Sequence, residues 1–140
     1  MNIKVRYLSK LGHTKDIANA IANTLNVNAI SILDEPIIKE YTDILFLGGA
    51  PYANIMDPKL KEYANNLDKN MVKRVVLFTT SNWSRRTVKA LKKILENKEI
   101  KVDNKYFYSH MLRIKKGTLR AKNFAKKYLE EVKWVFMILM

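Results

Sequence analysis

Cysteine is absent from this chain of 140 residues. That excludes a disulfide framework, a thiolate metal site and a cysteine nucleophile, and it suits a cytoplasmic setting. Histidine is scarce: His13 and His110 stand far apart in the sequence, which argues against a histidine-rich metal site. Long apolar runs are missing as well, since none approaches the roughly 20 residues that cross a bilayer. The first residues, Met1 to Leu8, lack the apolar region and small-residue cleavage site of a signal peptide. A soluble cytoplasmic protein is the expectation.

Acidic residues are also in short supply, 13 against 26 lysines and arginines, so the formal net charge is +13. The imbalance is local. Residues 1–83 have a net charge of +2, whereas residues 84–140 carry +11. Such a field attracts acidic proteins, nucleic acid or anionic membrane, and a solvated basic face without a dedicated partner looks the same. No recognition-helix or RNA-binding motif accompanies the charge, so nucleic acid is not expected as a partner.

What is present is alternation of two periodicities. Ile3, Val5 and Tyr7 alternate with polar residues and predict a strand over 2–8. Ile17, Ala18, Ile21, Ala22 and Leu25 follow at helical spacing, with Thr14 at the N-cap or in the first turn. A short strand is predicted at 28–33. The runs Asp43–Gly49 and Val75–Thr80 read as strands buried on both faces. A helix is predicted to start near Asp57-Pro58 and another at Ser84, with Val88, Leu91, Ile94 and Leu95 on its apolar face. Residues 101–108 form a weaker strand. A last helix from about Thr118 presents Leu119, Phe124, Ala125, Tyr128, Leu129 and Val132. With 48% apolar residues and no internal repeat or linker, residues 1–140 are expected to form a single domain. The predicted fold is α/β, a doubly wound five-stranded parallel sheet.

In that architecture ligands bind beyond the carboxyl ends of the strands, at a topological switch point. The loops after the first, third and fourth strands should therefore converge. The first reads Ser9-Lys10-Leu11-Gly12-His13-Thr14. A hydroxyl- and glycine-containing turn that enters a helix N-terminus suits an anion, because unpaired N–H groups point at it. Ser9 and Thr14 add hydroxyls, and Gly12 permits close approach of the backbone. A capped turn without a ligand has the same sequence. The loop is neither a Walker loop nor a GxGxxG fingerprint.

Together, Ser-x-x-Gly-x-Thr after the first strand, Asp43–Gly48 followed by Gly49-Ala50-Pro51-Tyr52-Ala53, and Val75–Thr80 followed by Ser81-Asn82-Trp83 resemble the flavodoxin family along almost the whole chain. The resemblance implies a flavodoxin-like sheet of order 2-1-3-4-5 and FMN as cofactor. It places Ser9, Lys10, Leu11, Gly12, His13 and Thr14 around the phosphate. It places Ala50, Pro51, Tyr52, Ala53 and Asn54 on one side of the flavin ring, and Thr79, Thr80, Ser81, Asn82 and Trp83 on the other. Tyr52 and Trp83 either stack on the ring or cover apolar surface at the sheet edge. Leu11 replaces a hydroxyl common in the family's phosphate loop. Ala53 stands where a glycine often lets the peptide flip beside the ring. A basic surround, unlike that of acidic flavodoxins, favours full reduction of the cofactor.

The expected function is electron transfer with redox partner proteins, acidic ones matching the basic half, and no catalytic nucleophile–base pair. Two alternatives stay open: a flavin reductase or oxidase that acts directly on a substrate, and a binding module without cofactor. The apolar tail 134–140 packs on the domain, pairs with a second copy or inserts shallowly in a bilayer.

Overall fold

Apolar residues of both periodicities condense into one parallel sheet between two helical layers. The computed structural model describes residues 1–50, 55–81, 86–110 and 114–139. In chain order the elements are β1 (Ile3–Tyr7), α1 (His13–Thr24), β2 (Ala29–Ser31), β3 (Thr42–Gly49), α2 (Pro58–Asn65), β4 (Val72–Ser81), α3 (Arg86–Asn97), β5 (Lys101–Val102), β6 (Phe107–His110) and α4 (Ile114–Leu139). The sheet runs β2-β1-β3-β4-β5, with β6 also paired to β4, and every pairing is parallel. The flavodoxin-like order 2-1-3-4-5 is therefore observed, with its fifth position split in two.

Alternation along the strands divides the core. Val5, Phe46, Val76 and Phe78 face α1 and α4, where Ile17, Ile21, Ala121 and Ala125 cover them. Leu45, Leu47, Val75 and Leu77 face α2 and α3, where Leu60, Tyr63, Leu91 and Leu95 close the other side. One charged residue lies within this second layer: Arg6 is buried and donates to Glu35 at 2.8 Å and to the Val5 carbonyl at 3.1 Å.

Three sequence expectations change. The strand predicted over 101–108 is broken, because Arg74–Val75 of β4 pair with β5 whereas Phe78–Ser81 pair with β6 at a register two residues longer. Asp103 holds the break: its N–H donates to the Val75 carbonyl at 2.9 Å and its carboxylate accepts from the Lys105 N–H at 2.9 Å. Secondly, α4 starts at Ile114, ahead of Thr118, and Leu119 lies outside its buried seam. That seam is Gly117, Ala121, Ala125 and Tyr128. Gly117 allows the close approach, since a Cβ there would collide with the Ser109 hydroxyl. Thirdly, the apolar segment at 134 onward is no separate tail but the helical end of α4, through Leu139. Among the described residues no helix is long and apolar enough to cross a membrane.

The break in the fifth position is also tied to α4. The Tyr128 hydroxyl donates to Asp103 at 2.9 Å, and Arg74 approaches the same carboxylate at 3.8 Å. Burial pushes the Tyr128 hydroxyl up from 10.0 to about 12, opposed by Arg74 and reinforced by the Asp103 charge. A raised folded-state value means that unfolded chains lose this proton first, so stability declines as pH rises from 10.0 towards about 12. Tyr128→Phe is expected to flatten its share of that alkaline decline in urea titrations. Burial also raises Tyr63 to about 12, so a residual slope should remain.

Candidate functional site

The carboxyl ends of four strands meet in register. Tyr7 lies opposite Gly48, Gly49 opposite Thr79, Thr79 opposite Tyr108 and Ser81 opposite His110. Leu8 extends the β1 ladder with one further bond, its N–H donating to the Gly48 carbonyl at 3.0 Å. The glycines at the end of β3 serve packing. A Cβ on Gly48 would enter the Phe78 ring, and one on Gly49 would meet the Leu60 side chain.

The first loop leaves this edge as a tight turn. Gly12 is the N-cap of α1 with φ of 89°, a left-handed conformation that favours glycine, and open space surrounds the position of a Cβ. Its N–H donates to the Ser9 hydroxyl at 3.0 Å, and its carbonyl accepts from the Asp16 N–H at 3.0 Å. Gly12 has no side chain to cap the helix, and among the described residues none takes its place, so the first-turn N–H groups keep their donor capacity. Asp16 is the acidic residue of that turn. His13 is half-buried, and Leu11, at 67% exposure, points away from the core.

Thr14 takes the second of its two expected places. It lies in the first turn, buried, with its hydroxyl 2.8 Å from that of Thr80 on β4. This bond ties the first loop to the third. Thr79 on the opposite face of β4 is also buried, and its hydroxyl has no hydrogen-bond partner among the described residues. An orphaned buried hydroxyl is costly unless something completes it.

A second tie joins the first loop to the start of α2. Asp57 caps α2, accepting from the Lys59 N–H at 2.8 Å, with Pro58 at the first helical position. Its other oxygen lies 3.1 Å from the Lys10 ammonium. Burial alone would raise the Asp57 carboxyl, but the Lys59 N–H and the Lys10 charge outweigh it, and the net shift is downward. Asp57 therefore stays ionised in neutral solution and holds Lys10 beside the turn. The Asp-Pro signal marks the helix start, yet nothing in the sequence pairs Asp57 with Lys10.

Ser9, Lys10, Leu11, Gly12, His13, Thr14, Ala50, Thr79, Thr80 and Ser81 thus lie along one sheet edge. Pro51, Tyr52, Ala53, Asn54, Asn82 and Trp83 lie outside the described residues. Among the described residues no group of three or more His, Cys, Asp or Glu could hold a metal ion. The chemistry on offer is recognition: free helix N–H groups, two or three hydroxyls and a lysine around a turn, a set that suits a phosphate group.

A family model described as a flavodoxin domain matches residues 4–137. Among solved structures the chain is similar to oxidised flavodoxin 1 from Bacillus cereus, with TM-score 0.78, 14% identity, and coverage of 93% of this chain and 98% of that one. It is similar to a flavodoxin from the domain Archaea, with TM-score 0.65, 20% identity, and coverage of 95% and 99%. It is also similar to two-electron reduced Megasphaera elsdenii flavodoxin, with TM-score 0.66, 18% identity, and coverage of 89% and 98%. No curated protein sequence matches it.

Proposed function

The chain belongs to the flavodoxin domain family, and from that premise we propose that it binds FMN at the carboxyl edge of the sheet and carries electrons between partner proteins. The observation that carries this reading is the uncapped, glycine-initiated N-terminus of α1, joined to the third loop through Thr14 and Thr80. FMN supplies one- or two-electron transfer when bound. The residues of this chain bind and orient it. The first-turn N–H groups of α1 and the Ser9 and Thr14 hydroxyls hold the phosphate, with Lys10 balancing its charge. The Thr79 hydroxyl, without a partner among the described residues, is assigned to the ribityl chain or the ring. Ala50 and Ser81 lead into the two loops that flank the ring, and Pro51, Tyr52, Ala53, Asn54, Asn82 and Trp83 contribute the surfaces on either side.

The basic starts of two helices support protein partners of acidic character. Arg86 and Lys89 on α3, and Lys115, Lys116 and Arg120 on α4, are exposed where those helices begin, at the same sheet edge. Charges so placed steer transient encounters towards the cofactor.

Purified protein tests the reading directly. Titration of apoprotein with FMN should quench flavin fluorescence at a one-to-one end point. A colourless protein that takes up no FMN would overturn the proposal.

A further inference from the structure

The second core layer holds a guanidinium that the protein satisfies only in part. Arg6 of β1 is 4% exposed. Its terminal nitrogens donate to Glu35 at 2.8 Å and to the Val5 carbonyl at 3.1 Å, whereas its Nε has no partner among the described residues. The hydroxyl of buried Tyr63, on α2, lacks one as well. Burial pushes that hydroxyl up to about 12, opposed by the Arg6 charge and reinforced by that of Glu35, so the three groups lie within electrostatic reach of one another. Orphaned buried donors are costly, and a buried charge that loses its counter-charge costs more.

Glu35 comes from the connection between β2 and β3. This strap leaves the carboxyl end of β2 and returns to the amino end of β3, and Ile32 and Ile38 root it in the second layer. Leu33 to Ile37 are all exposed. Among the described residues the backbone of 33–40 bonds only to its own flanks. The N–H groups of Leu33, Asp34 and Glu35 donate to Ser31, and the Glu40 carbonyl accepts from the Thr42 hydroxyl. Side chains therefore hold the strap to the sheet. Glu40 contributes little, since its side chain is 73% exposed and lies 3.8 Å from the Lys4 ammonium. Glu35 is the stronger tie, because water reaches its own side chain but not the Arg6 end of the pair.

We propose that Glu35 is a latch: its ion pair with Arg6 holds the strap 33–40 closed over the second layer, and loss of the carboxylate opens the strap without unfolding the domain. An open strap lets water reach the guanidinium and the Tyr63 hydroxyl, which costs less than leaving the charge buried and alone. Opening also bares the face of β1 that leads into the turn at Ser9–Thr14. The proposal is independent of whether FMN binds.

Native-state proteolysis tests it, because Lys39 is exposed within the strap. Cleavage that is slow relative to reclosing follows the open population. A lysine-specific protease should cut Glu35→Ala after Lys39 at least about tenfold faster than the parent, leaving the rest of the domain intact. R6M/E35A removes the charge that needs water, and its rate should return to within about threefold of the parent. Equal rates for the parent and Glu35→Ala would overturn the proposal. So would equal rates for Glu35→Ala and R6M/E35A, since the strap would then open without regard to the Arg6 charge. Cleavage of Glu35→Ala spread over the lysines of the helices would show the whole domain opening, and would overturn the local latch.

Discussion

Gly48→Ala is expected to destabilise the protein by about 1–3 kcal/mol, the usual cost of forcing a methyl group into a filled core. The position has no room to relax. Gly48 sits in the interior of the sheet between Tyr7 of β1 and Phe78 of β4. A Cβ at this point would lie 2.1 Å from the edge of the Phe78 ring, which is itself 1% exposed and packed under α1 and α4. Either the ring moves against those helices or the central strands separate. Urea unfolding should therefore show a lower midpoint with an unchanged slope. Gly12→Ala provides the contrast: space is open there, and only the backbone φ of 89° opposes a side chain, a cost of about 1–2 kcal/mol. A Gly48→Ala protein as stable as the parent would contradict the packing at the end of β3.

Thr14→Ala is expected to weaken FMN binding by roughly tenfold to a hundredfold, the value of a lost hydrogen bond to a charged phosphate together with the orientation it fixes. The loss has two parts. The Thr14 hydroxyl disappears from the turn proposed to hold the phosphate, and the hydroxyl of the buried Thr80 is left without the partner it holds at 2.8 Å. Thr14→Ser keeps the hydroxyl and should recover most of the affinity, which separates hydrogen bonding from the packing of the methyl group. Fluorescence titrations with FMN, and with riboflavin as the analogue lacking phosphate, give the decisive comparison. The variant should lose affinity for FMN and change little towards riboflavin. Equal affinity of Thr14→Ala and the parent for FMN would remove the phosphate role from this loop.

The alternation of strands and helices was legible because the periodicities are strong. The buried runs at Asp43–Gly49 and Val75–Thr80 could hardly be anything but central parallel strands, and Asp57-Pro58 announced the start of α2. The edge of the sheet was harder to read. Residues 101–108 carry β-type side chains on both sides of Asp103, and only tertiary bonds, to Val75 and Tyr128, reveal that the strand breaks at that residue. Arg6 alternates like a surface residue, yet Glu35 and the Val5 carbonyl allow it to be buried. Leu119 fits the helical period of α4 but misses the seam, because Gly117 and Ala121 set the face that packs. At the candidate site the first loop was legible as a turn entering a helix. The partners were not: Thr80 lies 66 residues from Thr14, and no local signal links Lys10 to Asp57 across the fold.

The split fifth position has a bearing on how the protein behaves when crowded. A parallel sheet has two margins, each a row of unpaired backbone donors and acceptors on which another chain could build. Here one margin is β2, only 3 residues long, and the other is divided into pieces of 2 and 4 residues with a change of register between them. Among the described residues neither presents a straight ladder long enough to template an incoming strand. Asp103, by interrupting that margin, therefore works against edge-to-edge pairing of chains.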